Sequence, residues 1–480
     1  MRLQLISLLA LSAVAAPVAT AQDLLIENVT VLSPERAAPL DGYSVLIEDG
    51  RITAVSSLPL SAAENVTVID GAGKYLTPGL MDSHHHVSFV PGMGAIGVGV
   101  AAANPELTAA YVEQQPRSLL YHGVTQILDP SPLNAWQTFE DQPVRPDFFR
   151  CGEIPTPGGY PGNQLGEGER AALSSYEIDP ALEGEAARVT REIAEDGAIC
   201  VKIYVEDGFG DANAWPVFDT ALIRELVDAA HDYGLPVVAH ANAVDMYRHA
   251  LDGGVDIMAH GMWNWNWPDG EAPVVETLDR LVADAVGYMP THMVMTGISR
   301  HMLQGTLDDP GFLNVVPPSL MAFYRAGGSD FFSEELASDF PPEMPAEEVG
   351  SILGYGVGRA QAATGYLHQR GHPILLASDC PGSPTFANHA GLCTLREMIS
   401  IAEGGVSLAA VFEAGTINNV RRFGLEADYG TVVPGKIANL LLLRANPLET
   451  VEAWDSIETV ILHGRPIQRE SLRAGQTSSN

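Results

Sequence analysis

The sequence predicts an α/β fold: a (β/α)8 TIM-like barrel with a small β-sandwich domain formed from both termini. Two observations predict it. Between residues 77 and 425, short apolar strands alternate with helical stretches, which is the rhythm of a parallel sheet. At the two ends, 22–76 and 426–480, short alternating runs are broken by Asp-Gly and Gly, which is the rhythm of hairpins. With 480 residues, 46% of them hydrophobic and 18% charged, the chain can bury one large core and a smaller one.

In chain order, residues 1–21 read as a signal peptide. Arg2 gives a positive start, Leu3 to Ala16 form an apolar run, and Ala19-Thr20-Ala21 offers a cleavage site before Gln22. The run is short for a bilayer span, which needs about 20 residues. The expected location is therefore periplasmic or secreted, with no membrane span after signal cleavage. LLIENVTVL, YSVLIEDGRITAV and NVTVIDGAGKYL then supply the N-terminal strands, and GTVVPGKIANLLLLR and ETVILHGRPI the C-terminal ones. Barrel strands are expected at 124–129 (VTQILD), 199–205 (ICVKIYV), 235–240 (LPVVAH), 255–260 (VDIMAH), 286–294 (VGYMPTHMV) and 373–379 (PILLASD). Helices are expected at TALIRELVDAAHDYG and VDMYRHALDGG. Residues 295 to about 345, rich in Phe, Pro, Met and acidic residues, interrupt this rhythm as a lid-like insertion or a surface elaboration.

The chemistry-bearing residues cluster at strand ends. His84 and His86 follow the apolar LTPGLM segment; alternation puts both on one face, with His85 on the other. Two imidazoles on one face can share a metal ion, although a single HxH is explained as well by a polar, solvated strand end. His240, His260 and Asp379 each close an apolar run, and in a barrel all such ends meet at one mouth. Lys202 sits inside the apolar strand ICVKIYV, where an ammonium is costly unless paired or neutralised. A depressed pKa would make its amine reactive toward carbon dioxide, giving a carbamate able to bridge two metals. Snorkelling or pairing with a carboxylate is the plainer account of one buried lysine. Beside four histidines the ligand role is preferred. Asp379, next to a metal-activated water, is the expected general base and acid.

These residues carry a family resemblance. PGLMDSHHH and GTVVPGKIANLLLLRANPLE resemble the first-strand signature and the C-terminal return of the amidohydrolase superfamily, nearest its imidazolonepropionase-like and prolidase-like members. PTPGGYPG resembles a glycine-rich third-strand loop of these proteins, with Tyr160 where a histidine is frequent. The resemblance implies a binuclear centre. His84 and His86 would bind one divalent metal, His240 and His260 the other, N6-carboxylated Lys202 would bridge them, and Asp379 would join the first. Zinc is the first choice, with Mn2+, Co2+ or Fe2+ as alternatives.

Substrate contacts are expected from Tyr160, Tyr204, Trp263 (in WNWNW, after His260) and His389. A dipeptide or N-acyl amino acid is the expected substrate. The alternatives are a mononuclear cyclic-amide hydrolase or deaminase, and an esterase, lactonase or xenobiotic amide hydrolase on the same site. A non-catalytic protein keeping the fold would be expected to lose ligands, and here the set is complete. The formal charge of −34, from 60 Asp+Glu against 26 Lys+Arg, disfavours nucleic acid as a partner. A homo-oligomer stays open. The 4 cysteines are too few for a disulfide scaffold; Cys380 and Cys393 could pair in an oxidising compartment.

Overall fold

A computed structural model describes residues 23–61, 66–173, 175–209, 214–265 and 270–476. The expected signal peptide and its cleavage point lie outside these residues. So do Asn266 and Trp267 of the WNWNW stretch.

The N-terminal strands are β1 (Leu24–Val31), β2 (Leu40–Glu48), β3 (Arg51–Ser56), β4 (Thr67–Asp70) and β5 (Tyr75–Pro78). Asp49 and Gly50 both adopt left-handed φ (49° and 76°), the two-residue turn whose twist matches that of the flanking strands. After β5 the chain enters the barrel with β6 (Leu80–Asp82), makes a small hairpin of β7 (Phe89–Val90) and β8 (Gly94–Ala95), and continues through β9 (Val124–Asp129) and β10 (Asp147–Ile154). The remaining barrel strands are β11 (Cys200–Tyr204), β12 (Val237–His240), β13 (Ile257–Ala259) and β14 (Gly287–Met289). The chain returns to the terminal domain through β15 (Leu440–Leu443), β16 (Ile457–Leu462) and β17 (Arg465–Gln468). In that domain β15 pairs with β5, so strands from both termini share one hydrogen-bonded sheet in the order β17-β16-β15-β5-β1-β2-β3, with β4 beside β1.

The barrel sheet runs β14-β13-β12-β11-β10-β9-β6, all parallel. Its inward side chains, among them Met81, Leu128, Val238, Ile257, Met289 and Leu375, pack as one cluster. Outward ones such as Val201, Ile203, Val237 and Ala239 join a larger cluster with helix residues including Ile193, Ile223, Leu226 and Tyr247. Strands buried on both faces read as unbroken apolar runs, which is why they were visible in the sequence.

Two sequence expectations are corrected. Residues 373–379 are not a regular strand. They are an extended segment bonded on both sides: Leu375 N–H to Tyr288 O (3.0 Å) and Ser83 N–H to Leu376 O (2.9 Å). That segment bridges the last strand to the first, as a closing eighth strand would. The strand expected at 286–294 stops at Met289, because Pro290 cannot donate to the ladder and Thr291 turns to φ 44° before the helix His292–Met302. Strand β10 was not foreseen: its first half is only partly buried and polar residues such as Asp147 and Arg150 interrupt its pattern. The 295–345 stretch is mostly helical, including Pro318–Arg325 and Asp330–Ala337.

The two predicted helices appear as Thr220–His231, capped by the Asp219 carboxylate accepting from Leu222 N–H (2.8 Å), and Val244–Gly253, ended by left-handed Gly254. No helix among the described residues is long and apolar enough to cross a membrane.

Candidate active site

Parallel strands deliver their C-terminal ends to one rim, and the site is built there. Register fixes who meets whom: Glu153 of β10 lies opposite Lys202 of β11, and Tyr204 of β11 opposite His240 of β12. His84 and His86 follow β6, His260 follows β13, and Asp379 ends the closing segment. A cavity of about 430 Å³ opens above them, and its wall includes His84, His86, Lys202, His240, His260 and Asp379.

Asp379 is the hub. Its Oδ1 lies 2.8 Å from His86 Nε2 and 3.4 Å from His84 Nε2, and its Oδ2 lies 3.0 Å from His260 Nδ1. The residue adopts φ 51°, a left-handed conformation costing on the order of 1 kcal/mol for a side-chain-bearing residue. Its N–H donates to His84 O (2.6 Å), which ties the strained turn to the first strand. Behind it, fully buried Asp82 accepts from Ser378 N–H (3.0 Å), Ser378 Oγ (2.6 Å) and Thr394 Oγ1 (2.7 Å). Burial favours the neutral acid at Asp379, but the surrounding imidazoles override it and hold the carboxyl well below its usual range.

On the other side, His240 Nδ1 lies 2.8 Å from His260 Nε2, and His240 Nε2 lies 3.2 Å from Glu206 Oε2. A proton count over this chain is informative. His240 donates its Nε2–H to Glu206 and accepts from His260 Nε2–H, which leaves the His260 Nδ1 lone pair to accept from the Thr291 hydroxyl (3.0 Å), with an Asp379 carboxylate oxygen also 3.0 Å away. Burial pushes His260 down to about 4, so a second ring proton is disfavoured near neutrality. A neutral ring nitrogen beside a carboxylate is a donor pair that a cation could use. His84, His260 and Asp379 offer ligand atoms within 4.8 Å of one another. The donor set of neutral nitrogens and a carboxylate is the kind that holds a borderline divalent ion.

Lys202 is the other telling observation. The residue is 1% exposed and its Nζ has no hydrogen-bond partner. Burial pushes its amine down to about 8. Its Nζ lies 5.6 Å from the centre of the Tyr204 ring, and an ammonium there without a hydrogen bond costs several kcal/mol of lost hydration. An amine that becomes an anionic ligand would not.

Of the residues expected to meet substrate, Tyr160 and Tyr204 line the cavity. Tyr204 is held by its hydroxyl donating to Glu153 Oε2 (2.7 Å), while the Tyr160 ring lies 4.7 Å from that of His240. Burial raises both phenols, so each stays a neutral donor. Trp263 is buried and its ring lies 5.6 Å from His260, outside the cavity wall. His389 does not join the site. It packs against the rings of Tyr111 (6.1 Å), Phe312 (5.5 Å) and Tyr324 (5.8 Å).

Sequence reasoning missed four supporting acids and a disulfide. Asp129 holds His86 Nδ1 (3.2 Å) and accepts from Val87 N–H (3.0 Å); with the Asp379 bond it outweighs burial and brings His86 up to about 10. Glu206 orients His240, Glu153 orients Tyr204, and Asp82 braces the closing segment. Asp129 and Glu153 stand at strand ends, so the signal that picked out the histidines could have found them. Cys380 pairs with Cys393, and Cys151 with Cys200, the latter joining β10 to β11 inside the barrel.

Comparison with known proteins agrees with this geometry. A sequence profile of the Amidohydrolase family matches residues 354–467. The 5'-deoxyadenosine deaminase of Methanothermobacter thermautotrophicus is 47% identical over 469 residues, covering 92% of this chain and 94% of that protein. The chain belongs to the amidohydrolase family. The D-hydantoinase of Streptomyces coelicolor is 38% identical to this amidohydrolase over 485 residues, covering 90% and 92% of the two chains. The A. niger ochratoxinase structure superposes with a TM-score of 0.66 at 16% identity, covering 96% of this chain and 99% of its own, which shows a shared fold. The protein is thus a metal-dependent hydrolase of carbon–nitrogen bonds.

Proposed function

We propose that this amidohydrolase hydrolyses an amide bond of a small substrate at a binuclear metal centre, outside the cytoplasm. The observation that carries the binuclear reading is Lys202, a buried amine without a hydrogen-bond partner on the wall that also holds the four histidines. Its neutral form would add to carbon dioxide, forming an N–C bond and releasing one proton, to give a carbamate. His84 and His86 would hold one ion and His240 and His260 the other, with that carbamate between them and Asp379 beside the first. Bound divalent ions would supply an acidified water and a polarised scissile carbonyl.

The chain's own residues do the rest. Asp379 Oδ1 and Oδ2 face different imidazoles, so the carboxylate is fixed in place to take a proton from water and return it to the leaving nitrogen. The Tyr160 and Tyr204 hydroxyls are donors available to an oxyanion or a substrate carbonyl. Two buried disulfides support an oxidising compartment, in line with the N-terminal signal pattern. Zinc suits the donor set, with manganese, cobalt and iron as alternatives.

A second reading, a mononuclear deaminase with Lys202 structural, is favoured by the similarity to 5'-deoxyadenosine deaminase. Elemental analysis of the purified protein separates the two. About two ions per chain with release of amine from acyclic amides supports the first. One ion with ammonia released only from nucleosides supports the second.

A further inference from the structure

The cavity has an uneven charge lining. At its floor stand the ligand residues, and among the described wall residues Lys202 is the single lysine, with no arginine. The outer wall is apolar, with Phe89, Met93, Val98 and Leu165, and it carries two carboxylates, Glu169 and Glu335. Glu335 comes from the helix Asp330–Ala337 within the stretch that interrupts the barrel rhythm, and Phe331 of that helix lines the same wall. Glu335 is exposed and Glu169 half-buried, and partial burial and then the charge of Glu169 raise the Glu335 carboxyl. Neither forms an ion pair with a basic side chain among the described residues. Glu169 accepts from Gly166 N–H (3.1 Å), which fixes it at the start of its helix. Lys202 Nζ, buried and without a hydrogen-bond partner, lines the same space.

An enzyme that takes dipeptides or N-acyl amino acids must hold a free carboxylate, and the usual device is an arginine or lysine fork. This wall offers the opposite charge. A carboxylate entering it would leave water to face two anions.

We propose that the site excludes substrates bearing a free carboxylate and takes apolar amides that are neutral or carry an amine cation at the end remote from the scissile bond, with Glu169 and Glu335 as the specificity-determining residues. The proposal rests on the metal-centre reading above for where the scissile group sits. It replaces the dipeptide and N-acyl amino acid expectation with a different substrate class.

The test separates selectivity from catalysis. Three hydroxamates anchor to a divalent metal alike and differ only at the far end: pentanohydroxamate, 5-aminopentanohydroxamate and glutaric monohydroxamate. Their dissociation constants on the metal-loaded enzyme would be measured by calorimetry. The amine is expected to bind about fivefold tighter than the neutral compound and the acid about fivefold weaker, the size of one or two partly exposed charge pairs. Both differences should narrow in 0.5 M salt and collapse in the Glu169→Gln/Glu335→Gln protein. Tightest binding by the acid, or an order unchanged in the double variant, overturns the proposal. Failure of all three to bind overturns the metal centre and the proposal together. The expected order without cleavage of any matching anilide leaves the selectivity standing and removes the amide-hydrolase reading.

Discussion

Two groups of buried histidines teach what makes a site here. His84, His86, His240 and His260 converge on Asp379 and are each tied to a carboxylate, directly or through one ring. His85 and His122 are as deeply buried, yet both ring nitrogens of each lack a partner, and His389 reaches only the Phe386 backbone. Burial drives His85 and His389 down to about 3, so near neutrality they are uncharged aromatic packing. Residue type and burial are shared; the carboxylates are not. Convergence with carboxylates, rather than histidine itself, marks the chemistry.

The sharpest way to break this contrast is at the hub. Asp379→Asn keeps the shape but loses the proton acceptor, and kcat is expected to fall on the order of a thousandfold while the far-ultraviolet dichroism is retained. Activity within tenfold of the parent would remove Asp379 from its role. Next, Lys202→Ala should reduce the metal content from about two ions per chain to about one. Part of the activity should return when a short carboxylate such as propionate fills the space of the carbamate. Unchanged metal content would leave Lys202 structural. Last and smallest, His389→Phe should change kcat/KM by less than about twofold, since no catalytic contact is lost. Replacing ring nitrogens that bond no side chain should change stability by less than about 1 kcal/mol in urea unfolding.

The same variant sharpens the contrast through pH. The folded His389 titrates near 3, below the unfolded value of about 6.5. Its stabilising share is whole above pH 6.5 and is lost as the pH falls from there toward 3, because only the unfolded chain takes up the proton. Tyr111, Tyr324 and Arg396 surround it, and Arg396 adds to the lowering. The His389→Phe protein should therefore lose stability less steeply on acidification. An identical slope would show that His389 is protonated in the fold.

Much of this was legible in the chain itself. Runs such as LPVVAH and VDIMAH announced strands buried on both faces, and their terminal histidines announced a mouth. Asp129 and Glu153 carried the same strand-end signal, but an acid there reads as solvent-facing until its partner is known. Strand β10 was hidden because half its length is only partly buried, so its composition is mixed. His389 was misplaced because a histidine in a loop after a strand looks the same whether the loop folds over the cavity or away from it.

By itself the sequence determined the periodicities, and through them the parallel barrel strands, the hairpin-rich ends and the set of metal-type side chains. Local backbone preference and apolar pattern act within a few residues, so they are written in the chain. The tertiary structure alone decided that the 373–379 segment bonds to both edges of the sheet, that Glu206 lies against His240, and that Glu169 and Glu335 share one wall. Those contacts join residues far apart in sequence, and their energies depend on distance and burial in space, which no local pattern encodes.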